Sequence, residues 1–346
     1  MSDRALRIVL DAAVPFAVGL RRTFRGVDVR EGLLIKGPSG WGEFAPFDDY
    51  SDVAAARWLD CAIEAAFGSW PASKRSAVHV NAIVPAVSPG DAALLTRSAI
   101  NDHGCRTIKV KVGGSLAEDE ARVASVRDAL DTSLGRGVGR IRIDANAAWD
   151  AATAKAALRR LGEYDLEYVE QPCRDADELI DVRSACSVPI AVDETLRTSD
   201  DAQALARQGA LMREIADIAI IKPAPMGGIE ASLRVAEALP IPVVVSSSLD
   251  TSVGLAVAVN LAGILGIESA CGLGTGALFA EDLVGTPEPP VDGMLTVRRV
   301  APDLAALLQA RDQVSDERAA WWRQRLARAW AAGSEQRCSA IVDASA

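Results

Sequence analysis

Lysine is scarce in this chain. Of 37 basic residues in 346, only six are Lys, at 36, 74, 109, 111, 155 and 222, and the other 31 are Arg. Surface cations are therefore made from Arg, and a lysine inside an apolar run is poor surface filler. Histidine is scarcer, with His79 and His103 alone. The chain has no basic run and carries a net charge of −10, so it has little with which to neutralise phosphates, and nucleic acid is excluded as a partner. No apolar stretch is long enough to span a bilayer, so no membrane partner is expected. The six cysteines (61, 105, 173, 186, 271 and 338) contain no CxxC pair, which removes the case for a zinc knuckle or a disulfide framework. The opening MSDRALRIVLDAAVP does not read as a secretory leader, because acids follow its early Arg and Pro15 cuts the apolar run short. The expected location is the cytoplasm. What the chain does have is 49% hydrophobic residues, enough for one large domain and a smaller one.

From about residue 78, short β-rich runs alternate with Ala-rich amphipathic stretches. The strand candidates are VHVNAIV (78–84), TIKVKV (107–112), RIRIDAN (140–146), LEYVEQ (166–171), PIAVDE (189–194), IAIIK (218–222), PVVVSSS (242–248) and a weaker eighth near IESACGL (267–273). They read as continuous apolar runs, the pattern of a parallel sheet buried on both faces. Eight β/α units predict an α/β fold of the TIM-barrel type over 78–286. The first 77 residues read as a meander plus a helix, and so as an N-terminal α+β capping domain. The Pro-rich and then helical segment 287–346 is expected to pack back on the cap or barrel, with 334–346 frayed.

Barrel chemistry sits at the C-terminal ends of the strands. There the acids Asp144, Glu170 and Asp193 recur about one β/α unit apart, so three adjacent strands aim carboxylates at one point. They would repel one another without a cation between them. Oxygen ligands with no His or Cys nearby suit Mg²⁺. Lys109 and Lys111 share a face of the second strand. In a lumen each would disfavour the other's charge, pushing a lysine toward acting as a base. Lys222 enters from four strands away. Cations on two sides of a metal suit an anion that becomes more anionic, so the partner is a small-molecule carboxylate. Ser246, Ser247 and Ser248 end the seventh strand and can hydrogen-bond a substrate carboxylate or carbonyl, and Asn146 is a further polar group at the end of the third. Removing a proton α to a carboxylate gives a dianionic enediolate, which metal and ammonium groups stabilise more than the ground state.

The order K-x-K, D-x-N, V-E-Q-P, D-E-T and K-P behind an α+β cap resembles the enolase superfamily, and within it the muconate lactonizing enzyme subgroup. That likeness spans nearly the whole chain. It implies that Asp144, Glu170 and Asp193 bind Mg²⁺, that Lys111 and Lys222 are the catalytic pair, and that Lys109 tunes Lys111. The mandelate racemase type would need a His base near the seventh strand, and dipeptide epimerases usually carry D-x-D on the eighth; neither is present. The run SSSLDTSVG (246–254), Gly272-Leu273-Gly274-Thr275, and RRTFRG (21–26) followed by WGEFAP (41–46) resemble the o-succinylbenzoate synthase family. Gly274 stands where other members often have Asp. The likeness implies a syn dehydration in menaquinone biosynthesis, with a basic lid around Arg21 to Gly26 and with the serines and amides near Gly272 holding a succinyl arm. Two other readings stay open: an N-acylamino acid racemase, which the same two lysines permit, and a non-catalytic metal-binding scaffold. A homo-oligomer is possible.

Overall fold

The computed structural model describes residues 2–24, 26–199, 201–285 and 287–345. Arg25, inside the basic segment 21–26, and Thr286, at the expected end of the barrel, lie outside the described residues, as do Met1, Asp200 and Ala346.

Strands β1 (Ala13–Phe24), β2 (Val27–Gly37) and β3 (Gly40–Phe44) form an antiparallel meander. The helix Asp52–Phe67 lies on it, started by the Ser51 side chain accepting from the Ala54 amide. The approach is close enough that a Cβ on Gly42 would stand 1.8 Å from the Ala62 carbonyl oxygen. The sequence places ALRIVLDAA in this meander, but the structure makes Ser2–Asp11 a helix. Ala5 and Val9, one turn apart, are its buried face. The tail differs in the same way. The segment expected to fray contains the helix Glu335–Ser345, whose Cys338 and Val342 are buried one turn apart. That helix and Asp316–Ala329 both pack on Asp52–Phe67.

Seven parallel strands follow in one sheet: β5 (Ala82–Val84), β6 (Thr107–Lys111), β7 (Arg140–Asp144), β8 (Leu166–Glu170), β9 (Ile190–Val192), β10 (Ile218–Ile221) and β11 (Val243–Val245). The run VHVNAIV is not one strand. Its first part, β4 (Ala77–His79), pairs antiparallel with β12 (Met294–Thr296), and the parallel sheet begins at β5. The expected eighth strand is reduced to Cys271 and Gly272, which bridge Val80 on one side and Ser246 on the other. The Cys271 amide donates to the His79 carbonyl (2.7 Å) and the Gly272 amide to that of Val245 (2.8 Å). These two residues close the ring, giving a modified (β/α) barrel behind an N-terminal capping domain.

Arg142 fastens the floor of the ring. It is 1% exposed, donates to Asn81 Oδ1 (3.1 Å) and the Ala270 carbonyl (2.6 Å), and pairs with Glu167 (2.6 Å). Its guanidinium lies 4.7 Å from the Tyr168 ring centroid. Arg142→Met leaves these acceptors unmet and should cost about 3 kcal/mol, read as a lower denaturant midpoint. An unchanged midpoint would show that the floor does not depend on this residue.

Candidate active site

Strand alternation and register build the site. Tyr168, Ala191, Ile220 and Val244 pack together inside the ring. Two residues further along the same strands, Glu170, Asp193, Lys222 and Ser246 therefore form the next layer toward the C-terminal mouth. Lys111 lies in register beside Asp144, and Asp144 beside Glu170. All three acids are buried, Asp144 and Glu170 at 1% exposure and Asp193 at 0%.

Each acid faces a lysine. Lys109 Nζ sits between Asp144 Oδ2 (2.8 Å) and Glu170 Oε1 (2.6 Å). Lys111 Nζ donates to Asp144 Oδ2 (2.7 Å) and Asn146 Oδ1 (2.6 Å), and Lys222 Nζ to Asp193 Oδ2 (2.5 Å). Mutual repulsion does not govern Lys109. Burial works against its charge, but Asp144 and Glu170 overcome that and hold its pKa above the ordinary lysine value. Burial also opposes the charge of Asp144, yet Lys109 and Lys111 keep it well below the usual carboxylate range. Burial pushes Glu170 up to about 7, against the charge of Lys109 and with help from Asp144 and Asp193.

Among the described residues, no three His, Cys, Asp or Glu side chains stand together as a ready metal cage. The ammonium groups of Lys109 and Lys222 lie against the oxygens that such a cage would use. The donor chemistry still fits a hard divalent cation: three buried carboxylates on adjacent strands, with positive charge already held at 2.5–2.8 Å from their oxygens. Asp144, Glu170 and Asp193 are the residues able to hold it.

Lys109, Lys111, Lys222, Asn146 and Ser246–Ser248 line one pocket, together with Phe24, Ile83, Leu249 and Thr275. The lysines of β6 and of the β10 end thus face each other across it, with three strands between. Ser247 and Thr275 share a hydrogen bond of 2.9 Å. The structure does not bring every expected residue here. Arg21 is exposed and borders a neighbouring apolar cavity. Phe24, from the same segment, reaches the pocket instead, its ring centroid 5.5 Å from Lys111 Nζ. Gly272 contributes clearance, since a Cβ there would meet Ser246 Oγ at 2.5 Å. Its amide and carbonyl are both used in closing the ring.

Two cap residues hold the serine loop. Glu43 accepts from the Thr251 hydroxyl (2.5 Å) and the Gly254 amide (3.2 Å) at the start of helix Ser252–Leu265. Arg30 donates to the Leu249 carbonyl (2.9 Å). Glu43 belongs to the WGEFAP run, while Arg30 stands among the charges of VDVRE, where nothing in the sequence sets it apart.

A family model described as Enolase C-terminal domain-like matches residues 91–304, and one described as Enolase N-terminal domain-like matches residues 15–66. The chain is 48% identical over 321 residues to the o-succinylbenzoate synthase of Thermobifida fusca, which covers 92% of this chain and 95% of that one. It is 44% identical over 324 residues to the o-succinylbenzoate synthase of Mycobacterium ulcerans, covering 92% and 93%. A dipeptide epimerase from Enterococcus faecalis, solved with Mg and L-Leu-L-Tyr, superposes with a TM-score of 0.65 at 20% identity, covering 84% of this chain and 97% of that one. That degree of likeness is a likeness of fold.

Proposed function

Because the chain belongs to the enolase superfamily, and within it to the o-succinylbenzoate synthase family, we propose that it dehydrates 2-succinyl-6-hydroxy-2,4-cyclohexadiene-1-carboxylate to 2-succinylbenzoate in menaquinone biosynthesis. The observation that carries this reading is the single pocket where Lys111 and Lys222 face each other beside Ser246–Ser248.

Lys111 takes the ring proton α to the carboxylate. The electron pair left behind expels the hydroxyl from the neighbouring carbon, and Lys111 returns its proton to that oxygen on the same face. Water leaves, the ring becomes aromatic, and Lys111 ends neutral as it began. Lys222 stays charged on the other face, a cation over the forming aromatic system. Lys109, fixed between two carboxylates, contributes charge and orientation rather than proton transfer. Asp144, Glu170 and Asp193 would hold Mg²⁺. When bound, that ion supplies Lewis-acid stabilisation of the charge developing on the carboxylate. Ser246–Ser248 and Thr275 supply hydroxyls for the polar arm of the substrate, and Asn146 orients Lys111.

The cap is assigned to residues 1–77 with 287–346, and the barrel to 78–286, a division supported by the packing of the C-terminal helices on Asp52–Phe67. The cytoplasm is the compartment that six free thiols fit.

The facing lysines also suit an N-succinylamino acid racemase, which needs a base on each side of one carbon. A side-by-side assay separates the two. Purified protein with Mg²⁺ should dehydrate the cyclohexadiene substrate far faster than it exchanges the α-proton of an N-succinyl amino acid with deuterated water. Exchange of both enantiomers at rates rivalling dehydration would favour the racemase. Inactivity in both assays, with metal bound, would leave the scaffold reading.

A further inference from the structure

The helix Glu194–Arg197 follows β9 directly and carries a buried guanidinium, 9% exposed. Arg197 has three separate attachments. Its Nε reaches Asp193 Oδ2 (3.3 Å), the same oxygen that accepts from Lys222 Nζ. Its Nη2 donates to Glu194 Oε1 (2.7 Å), which also accepts from Asn146 Nδ2 (3.3 Å), and Asn146 Oδ1 in turn accepts from Lys111 Nζ. Its Nη1 donates to the Tyr50 hydroxyl of the cap. One planar fork therefore stands midway on a continuous polar chain between the two lysines, with a third arm into the other domain.

The cap end of that arm is held by further contacts. Arg325 of helix Asp316–Ala329 donates to the Phe47 carbonyl (2.6 Å) and the Tyr50 carbonyl (2.9 Å), fixing the turn that presents Tyr50. The Tyr50 ring packs against Phe47 and Trp58, both at 6.0 Å between centroids. The fork edges a cavity at the seam between cap and barrel, bordered by Tyr50, Asn146 and Glu194. A lysine there would keep charge but could not hold three partners in one plane.

We propose that Arg197 is a positioning residue that couples the capping domain, through Tyr50, to the carboxylates that orient Lys222 and Lys111. This rests on the reading of Asp193 as a metal-holding acid beside the catalytic pair. A change at the metal-holding carboxylates is thereby felt in the turn around Tyr50, and a shift of the cap is felt at both lysines.

Hydrogen exchange with Mg²⁺ alone tests the coupling without substrate. In the wild-type protein, adding Mg²⁺ to the chelated form should slow exchange both in peptides covering 193–198 and in those covering 47–51. In Tyr50→Phe and Arg197→Met, protection should remain at 193–198 and vanish at 47–51. Arg197→Lys should not restore it. In parallel, kcat for dehydration should fall about 10- to 100-fold in Arg197→Met with a smaller change in KM. Adding Tyr50→Phe to Arg197→Met should cost nothing further. Mg²⁺-dependent protection at 47–51 that is absent from the wild type, or that survives in either variant, overturns the proposal. So does a double variant whose loss is the product of the two single losses. If Arg197→Met fails to fold, Tyr50→Phe, which removes one oxygen, decides alone. A wild type that does not dehydrate the substrate would refute the proposed reaction while leaving the exchange result intact.

Discussion

Replacing Lys111 by Arg should lower dehydration by about 10⁴-fold, the upper range for loss of a general acid–base group. Arg retains the charge but almost never gives up its proton, so the pocket keeps its field and loses its base. Lys222→Arg should retain a measurable fraction, because that position is asked for charge over the ring and not for proton transfer. Steady-state dehydration by the two variants is the comparison. Equal loss in both, with substrate still bound, would mean that both lysines move protons. If the wild type also exchanges both enantiomers of an N-succinyl amino acid, and Lys222→Arg loses exchange of just one, the racemase reading replaces the dehydratase. The guanidinium is larger than the ammonium, so Lys222→Ala is compared alongside. Poor substrate binding by Lys222→Arg but not by Lys222→Ala identifies a steric effect.

Chelation should have an effect of the same order. Exhaustive removal of divalent cations should bring dehydration to background, and Mg²⁺ should restore it. Asp193→Asn should weaken Mg²⁺ binding by at least about tenfold, measured by calorimetry. Full activity after chelation would refute the role of the metal, and unchanged affinity in Asp193→Asn would remove that residue from the ligands. The buried pairs sharpen the expectation. With Asp144, Glu170 and Asp193 nearly inaccessible to water, compensating charge comes from the three lysines and from Arg197 beside Asp193, and a lysine held to that task is not free to move a proton.

The site was legible where chemistry follows strand period. Lys109 and Lys111 on one face, and Asp144, Glu170 and Asp193 at successive strand ends, are fixed by alternation and by the length of a β/α unit. The structure gathers all of them with Lys222. Residues that reach across from the cap have no such period. Phe24 lies on an extended strand whose neighbour Arg21 carries the more conspicuous charge, yet Phe24 is the one that covers Lys111. On the barrel side, the i+4 spacing of Arg197 from Asp193 is visible in the sequence, but its link to Tyr50 of the cap is not. Gly272 drew notice for its backbone, while its effect comes from the absent side chain that makes room for Ser246. The terminal helices Ser2–Asp11 and Glu335–Ser345 are short and polar on average, and tertiary packing on the cap stabilises them more than propensity does.

The two-residue closure of the ring bears on which molecules this pocket could come to accept. Among the described residues, the element that comes next after Cys271 and Gly272 is a short 3₁₀ turn, Gly274–Leu278, and not an α-helix. An apolar cavity of about 300 Å³ lies there, between Leu95 and Ala99 on one helix and Leu255 on another. Ile83 borders both that cavity and the catalytic pocket. One residue of a short strand is thus common to the walls of both chambers. Trimming it would add apolar volume beside Lys111 and leave every charged group of the site in place.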